Sequence, residues 1–196
     1  MSADKLERLA LLVAVGLVVI LGWQNQLLRE GSSRVLQSLS EPSVGSFVPS
    51  FTATTLDGHE VEVGSPDAGE AQILYVFLTT CEFCQASVPM VRALAERAWG
   101  AERGVSFLSV SIDSDRPSPS ELDGQGIPNP VVHLDSRRLK SLFKAGRVPR
   151  LLVVDQDGRV AYVRTGVIGE KSAVDSVLAV ADSVARSTTR ERLGGR

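Results

Sequence analysis

"ILYVFLTTCEFCQASVPMV", residues 73–91, decides how the rest of the chain reads. Its first half is β-branched, aromatic and apolar on both faces, the pattern of a strand covered on both sides. Its second half places Val88 and Val91, and beyond them Leu94, Ala95 and Ala98, at helical spacing. Between the halves stand Cys81 and Cys84, the only cysteines of the chain. A C-x-x-C at a strand-to-helix junction puts its first sulfur at the exposed helix N-terminus and its second one turn further in. The free N–H groups and the helix dipole there favour a thiolate on Cys81, the expected nucleophile. Cys84 is then placed to resolve a mixed disulfide.

Two other uses of the pair stand beside this one. An inert crosslink over so short a loop removes little entropy from the unfolded chain and stabilises little. A zinc site needs two further ligands, and besides carboxylates the chain offers only His59, beside a turn, and His133, in a short extended segment.

On the C-terminal side, "GVSFLSVSID" (104–113) reads as a second buried strand, so strand, helix and strand form a parallel βαβ unit. "SDRPSPSELDGQGIPNP" (114–130) is a loop with one short helix from Ser120. "PVVHLD" (130–135) is extended, and "SRRLKSLFKA" (136–145) is a helix capped by Asp135 or Ser136 and stopped by Gly146. "VPRLLVVDQDGRVAYVRTG" (148–166) is a strand, a turn at Asp157-Gly158 and an antiparallel return; "EKSAVDSVLAVADSVARS" (170–187) is an amphipathic helix. On the N-terminal side, "FTATTLDGHEVEV" (51–63) is a hairpin turning at Asp57-Gly58. A mixed sheet flanked by helices follows. The expected domains are an anchor at 1–28, a linker at 29–43, a folded domain at 44–186 and a disordered polar tail at 187–196.

The anchor is "LALLVAVGLVVILGW", Leu9 to Trp23, a run without charge, preceded by Lys5 and Arg8 and closed by a tryptophan suited to a membrane interface. It covers about 22 Å as a helix, short for a span, so Leu6, Leu27 and Leu28 must help. A cleaved signal or a buried soluble helix are the alternatives; no small-x-small cleavage site follows the run, which favours an uncleaved single transmembrane helix. Lys5 and Arg8 are balanced by Arg29 and Arg34, so charge leaves orientation open. A short tail before an apolar run is the layout of a signal anchor, which sends the bulk of the chain out of the cytoplasm.

Composition excludes little else. The 196 residues are 43% hydrophobic and 22% charged, a globular balance, and the net charge of −2 provides no basic face for nucleic acid.

The cysteine pair, the element order and "VPRLLVVDQDGRVAYVRTG" together resemble the thioredoxin superfamily, and within it the membrane-anchored TlpA/ResA-type thiol-disulfide oxidoreductases. "VGSFVPSFTATTLDG" (44–58) is similar to that family's G-x-x-x-P-x-F opening, and Pro89 stands where the superfamily kinks this helix. The resemblance implies a thioredoxin-like α/β fold and a cis Val148–Pro149 bond lying against the cysteines, with the backbone of Val148 pairing with substrate. It implies no cofactor beyond the Cys81–Cys84 disulfide, no metal, and as partners the thiols and disulfides of exported proteins, such as apocytochromes, and an upstream membrane thiol reductant. The location implied is the cell membrane, single-pass, with the domain on the extracytoplasmic side.

The chain departs from the family around the pair. Thr80 replaces the usual tryptophan, and Glu82-Phe83 replaces a proline-containing dipeptide. Glu82, an acid beside the nucleophile, is the expected modulator of the thiolate and points to a reducing couple. Tyr75 takes the place of thioredoxin's buried aspartate, and Ser87 that of a ResA-type glutamate, so the proton acceptor for Cys84 falls to Glu82 or water. Two rivals share the fold. A peroxiredoxin needs P-x-x-x-T-x-x-C, where this chain has Leu74 and Leu78; a copper-delivering Sco-type protein uses C-x-x-x-C with a distant histidine, for which only His133 is available.

Overall fold

The computed structural model describes residues 42–64, 66, 70–99, 104–137, 140 and 147–194, together with 16, 17, 20–22 and 24; at 99 and from 187 onward it describes the backbone alone. The chain divides into two units, Met1–Ser40 and Glu41–Arg196. Most of the anchor proposed at Leu9–Trp23 lies outside the described residues. Those of its residues that are described are helical, with Leu17, Ile20 and Leu21 exposed. Among the described residues no helix is long and apolar enough to cross a membrane.

In the second unit a hairpin precedes a five-stranded mixed sheet. Strands β1 (Phe51–Thr54) and β2 (Glu60–Val63) pair antiparallel as a separate two-stranded sheet. The central strands are β3 (Ala71–Phe77), β4 (Val105–Ser111), β5 (Val131–His133), β6 (Arg150–Val154) and β7 (Val160–Thr165), in the order β5-β4-β3-β6-β7. The neighbours β3, β4 and β5 run parallel, while β6 is antiparallel to both β3 and β7. The helices are α1 (Glu82–Trp99), α2 (Pro119–Gln125) and α3 (Lys171–Gly194).

Strand β3 is buried along its whole length because it sits mid-sheet with both faces covered. On one face Ile73, Tyr75 and Phe77 pack with Val91, Leu94 and Ala95 of α1 and Val174, Val177 and Leu178 of α3. On the other, Leu74 and Val76 pack with Leu152, Val154 and the hairpin's Val61 and Val63. The apolar positions read from helical spacing, Val88, Val91, Leu94, Ala95 and Ala98, are all buried. Ser118 caps α2, its hydroxyl accepting the Glu121 N–H, and Gly126 closes the helix in the left-handed region at φ 71°.

Three details differ from the sequence reading. The folded unit starts before Val44: Pro42 is already buried, and Gly45 donates to the Val160 carbonyl while Val160 donates back to Ser46. The tail expected to be disordered at 187–196 is helical as far as Gly194, because Arg190, Glu191, Arg192 and Leu193 are all good helix formers and no breaker precedes the terminal glycines. A second cis bond, Asn129–Pro130, joins the one at Val148–Pro149. The helix expected at 136–145 lies mostly outside the described residues; Arg137 and Lys140 are helical, and Lys140 N–H donates to the Ser136 carbonyl.

Candidate active site

Parallel strands point their C-terminal ends to one edge of the sheet, and the turn Leu78-Thr79-Thr80 carries the chain from β3 over that edge into α1. Cys81 stands just ahead of the helix. Its carbonyl accepts the N–H groups of Cys84 and Gln85, each at 3.0 Å, and its Sγ accepts the Cys84 N–H at 3.2 Å. Cys81 is therefore the N-cap, with sulfur in the place of the usual oxygen acceptor. The sulfur thus sits at the N-terminal end of the helix, where its peptide N–H groups point. Cys81 is half-buried and Cys84 is 1% exposed; both are free thiols.

Burial, and then the hydrogen bond to Cys81, pushes the Cys84 thiol up to about 12, with the charges of Cys81 and Asp113 adding to the effect. The cis Val148–Pro149 peptide closes the site from β6, the Val148 carbonyl lying 4.0 Å from Cys81 Sγ. Gly166 N–H donates to the Pro149 carbonyl at 2.9 Å and holds that loop against the end of β7. Cys81, Cys84, Val148 and Pro149 thus meet at one place. Glu82 and Phe83 are exposed on the first turn of α1, Phe83 to 63%. Residues Cys81 and Glu82 are adjacent in sequence, and the Glu82 side chain stays in solvent.

Tyr75 and Ser87, where the family resemblance implies acids, have other work here. Tyr75, fully buried, donates its hydroxyl to the Cys84 carbonyl at 3.1 Å and stacks on Phe77 at 5.4 Å between ring centroids. Burial raises its phenol well above the ordinary tyrosine value, so it stays neutral and donates. Ser87, also fully buried, donates to the Phe83 carbonyl at 2.7 Å and accepts the Ile168 N–H at 3.0 Å, tying the loop after β7 to α1.

One group escaped the sequence reading. Asp113, two residues past the end of β4 and 8% exposed, accepts from the Thr79 N–H (3.0 and 3.2 Å to its two oxygens), the Thr79 hydroxyl (2.8 Å) and the Ser111 hydroxyl (2.8 Å). The signal available was an acid closing an apolar strand, which by itself reads as an ordinary strand end. His133 belongs to this cluster and not to the cysteines: its Nδ1 lies 3.3 Å from the Ser111 hydroxyl, and burial, then Lys140, holds it below the usual histidine value. His59 N–H bonds the Thr55 hydroxyl in the hairpin turn. Among the described residues no three His, Cys, Asp or Glu side chains gather as a metal site.

A buried thiol behind a capping sulfur, beside a cis-proline loop, can exchange with a disulfide presented at the sheet edge. The comparisons agree with that chemistry. ResA of Geobacillus kaustophilus, a thiol-disulfide oxidoreductase, is 26% identical over 127 residues, covering 64% of this chain and 71% of that protein. The methylamine utilization protein MauD of Methylophilus methylotrophus is 26% identical over 140 residues, 69% of this chain but 61% of its own length. The crystal structure of a thioredoxin-family thiol:disulfide interchange protein from Chlorobium tepidum superposes with a TM-score of 0.56 at 25% identity, covering 71% of this chain and 98% of that one. The Redoxin family matches residues 43–178, well over half of the sequence; the chain belongs to the Redoxin family, as a TlpA/ResA-like member of the thioredoxin superfamily.

Proposed function

We propose that this thiol-disulfide oxidoreductase is a membrane-tethered enzyme working outside the cytoplasm, where Cys81 and Cys84 reduce disulfides of exported proteins. The observation that carries the reading is the inequality of the two sulfurs: one caps a helix at the surface, the other is buried behind it with its thiol pushed up to about 12. The Cys81 thiolate attacks a substrate disulfide, forming a Cys81–substrate bond and releasing the other substrate sulfur, which takes up a proton. Cys84 then loses its proton and attacks Cys81. The intramolecular disulfide forms, the second substrate thiol leaves, and two electrons have passed from enzyme to substrate. An upstream membrane thiol restores the dithiol. Val148, whose carbonyl faces Cys81, offers backbone to an extended substrate, and Glu82 adds negative charge beside the exchange.

The direction follows from what stabilises the reduced form. Strong oxidants stabilise the thiolate of their reduced form, whereas here burial holds Cys84 as the thiol, which favours a reducing couple. The tether is supported by the uncharged run Leu9–Trp23 and by the exposed apolar Leu17, Ile20 and Leu21 on its helical residues.

Equilibrating the full-length protein in detergent with glutathione and dithiothreitol buffers tests the direction. A midpoint near thioredoxin's, about −270 mV, is expected; one near about −120 mV, that of a strong oxidase, refutes it. Trapping on Cys84→Ser, which halts at the mixed disulfide, should recover exported proteins; recovery of cytoplasmic proteins alone from intact cells refutes the location.

A further inference from the structure

A carboxylate is costly to bury unless its oxygens are occupied by donors. Asp113 meets that condition with one N–H and two hydroxyls, and two of the three donors come from a single residue, Thr79. Thr79 lies two residues before the nucleophile, in the turn that sets where α1 begins. The turn is held from its other side as well: the Thr79 carbonyl accepts from Gln85 Nε2 at 2.9 Å, and the Cys81 N–H donates to the Leu78 carbonyl at 3.2 Å. Asp113 is itself fixed from behind. Its N–H reaches the Ser111 hydroxyl at 3.3 Å, and its carbonyl accepts from Lys140 Nζ at 2.6 Å.

We propose that Asp113 is the positioning residue of the redox centre: through Thr79 its carboxylate fixes the turn that presents the Cys81 sulfur to the cis-proline loop, and its charge stands behind the resolving Cys84. The inference rests on the dithiol reading above and adds a residue to it. Asp113 touches neither sulfur in any hydrogen bond; it acts through the turn and through its field. That field belongs among the influences that keep Cys84 protonated. Cys84 is faced by Cys81 on its own helix junction, by Tyr75 from β3 and by Asp113 beyond β4. Asp113 in turn is faced by Lys140 and, through Ser111, by His133 of β5, around which Arg116 and Asp135 also lie. Neutralising Asp113 therefore removes a negative charge from behind Cys84 without touching the cysteines.

Three full-length variants separate the proposal from a purely structural staple. Asp113→Asn keeps an acceptor for the Thr79 N–H and loses the charge, Asp113→Ala loses both, and Thr79→Val keeps the charge and loses one donor. In a Cys84→Ser background, the exchange rate of Cys81 with 5,5′-dithiobis(2-nitrobenzoate) should fall severalfold in Asp113→Ala and Thr79→Val and recover most of the way in Asp113→Asn. In a Cys81→Ser background, alkylation of Cys84 by iodoacetamide should begin at lower pH in Asp113→Asn and at the parental pH in Thr79→Val. Cys81 rates equal to the parent's in all three variants, even if these melt earlier, overturn the positioning role, because a staple lowers melting alone. An unmoved Cys84 profile in Asp113→Asn overturns the part given to its charge. Neither readout needs turnover, so a parent protein without a reversible couple would sink the oxidoreductase reading while leaving these two outcomes to decide the role of Asp113.

Discussion

The rate at which Cys84 resolves a mixed disulfide should rise about tenfold for each pH unit between pH 6 and pH 8. Only the thiolate attacks, and in the reduced protein the Cys84 thiol is held up to about 12 against an ordinary 9.0. Once Cys81 is tied to substrate, the hydrogen bond and the charge it lends to Cys84 are gone. Burial, the largest cause, and the Asp113 charge remain. The operative value in the intermediate then lies between these two limits, so at pH 7 on the order of one Cys84 in 10² to 10⁵ is ionised, and log rate climbs with unit slope. The assay is direct: load Cys81 of the full-length protein with thionitrobenzoate at low pH, jump the pH in a stopped-flow instrument, and follow release at 412 nm. A rate that levels off below pH 8 refutes the reasoning, because it would mean that Cys84 ionises easily despite being 1% exposed.

The other predictions concern residues around the pair. Ser87→Ala leaves the Ile168 N–H buried without its acceptor and should cost about 1–3 kcal/mol, lowering the Tm by about 2–4 °C per kcal/mol in a scanning melt; an unchanged Tm rules out that bond as a staple of the loop. His133 has its value lowered from 6.5 in the folded state, so the stability it contributes is present above 6.5 and lost as pH falls. His133→Gln should flatten the stability profile between pH 7 and pH 5, as urea unfolding will show; an equal slope in both proteins removes His133 as its source. Phe83, 63% exposed between the two cysteines, is free to be covered by a docked polypeptide. Burying a phenylalanine is worth about 1.5–3 kcal/mol, so Phe83→Ser should lower kcat/KM for insulin reduction about tenfold or more and leave the reaction with small disulfides unchanged; equal losses for both would show that Phe83 acts on the sulfurs instead of the substrate.

What could be read from the sequence was what is written locally. The run at 73–77 announces a doubly covered strand, and Val88, Val91, Leu94, Ala95 and Ala98 announce the buried face of α1, because both patterns repeat within a few residues. The C-x-x-C between them marks the junction. What could not be read is written across the sheet. Asp113 meets Thr79 from 34 positions away only because β3 and β4 lie side by side in a register that pairs Phe77 with Ser111. Ser87 meets Ile168 across 81 positions because β6 and β7 return the chain to the head of α1. The family resemblance implies acids at the places of Tyr75 and Ser87; it could not say that a neutral donor and a loop staple stand there instead. The tail differs for another reason: its polarity suggests disorder, although Arg, Glu and Leu are helix formers whether or not they are buried.

The loss of those two acids bears on where the Cys84 proton goes. The candidates inside the fold are poor. Tyr75 is a donor whose phenol is raised further by burial, and Ser87 already donates to one backbone group and accepts from another. Asp113 has both oxygens taken, so protonating it would break the bonds that hold Thr79. Cys81 itself is the natural partner in the resting dithiol, where Cys84 shares its proton with the capping sulfur. Substrate attachment removes that partner at the moment the proton must leave. The routes left for the proton are solvent at the half-buried Cys81, the exposed Glu82 beside it, or the departing substrate sulfur, and the buried thiol becomes easier to ionise only after the first exchange has occurred. So arranged, the second sulfur stays buried away from stray oxidants until a substrate is attached to the first.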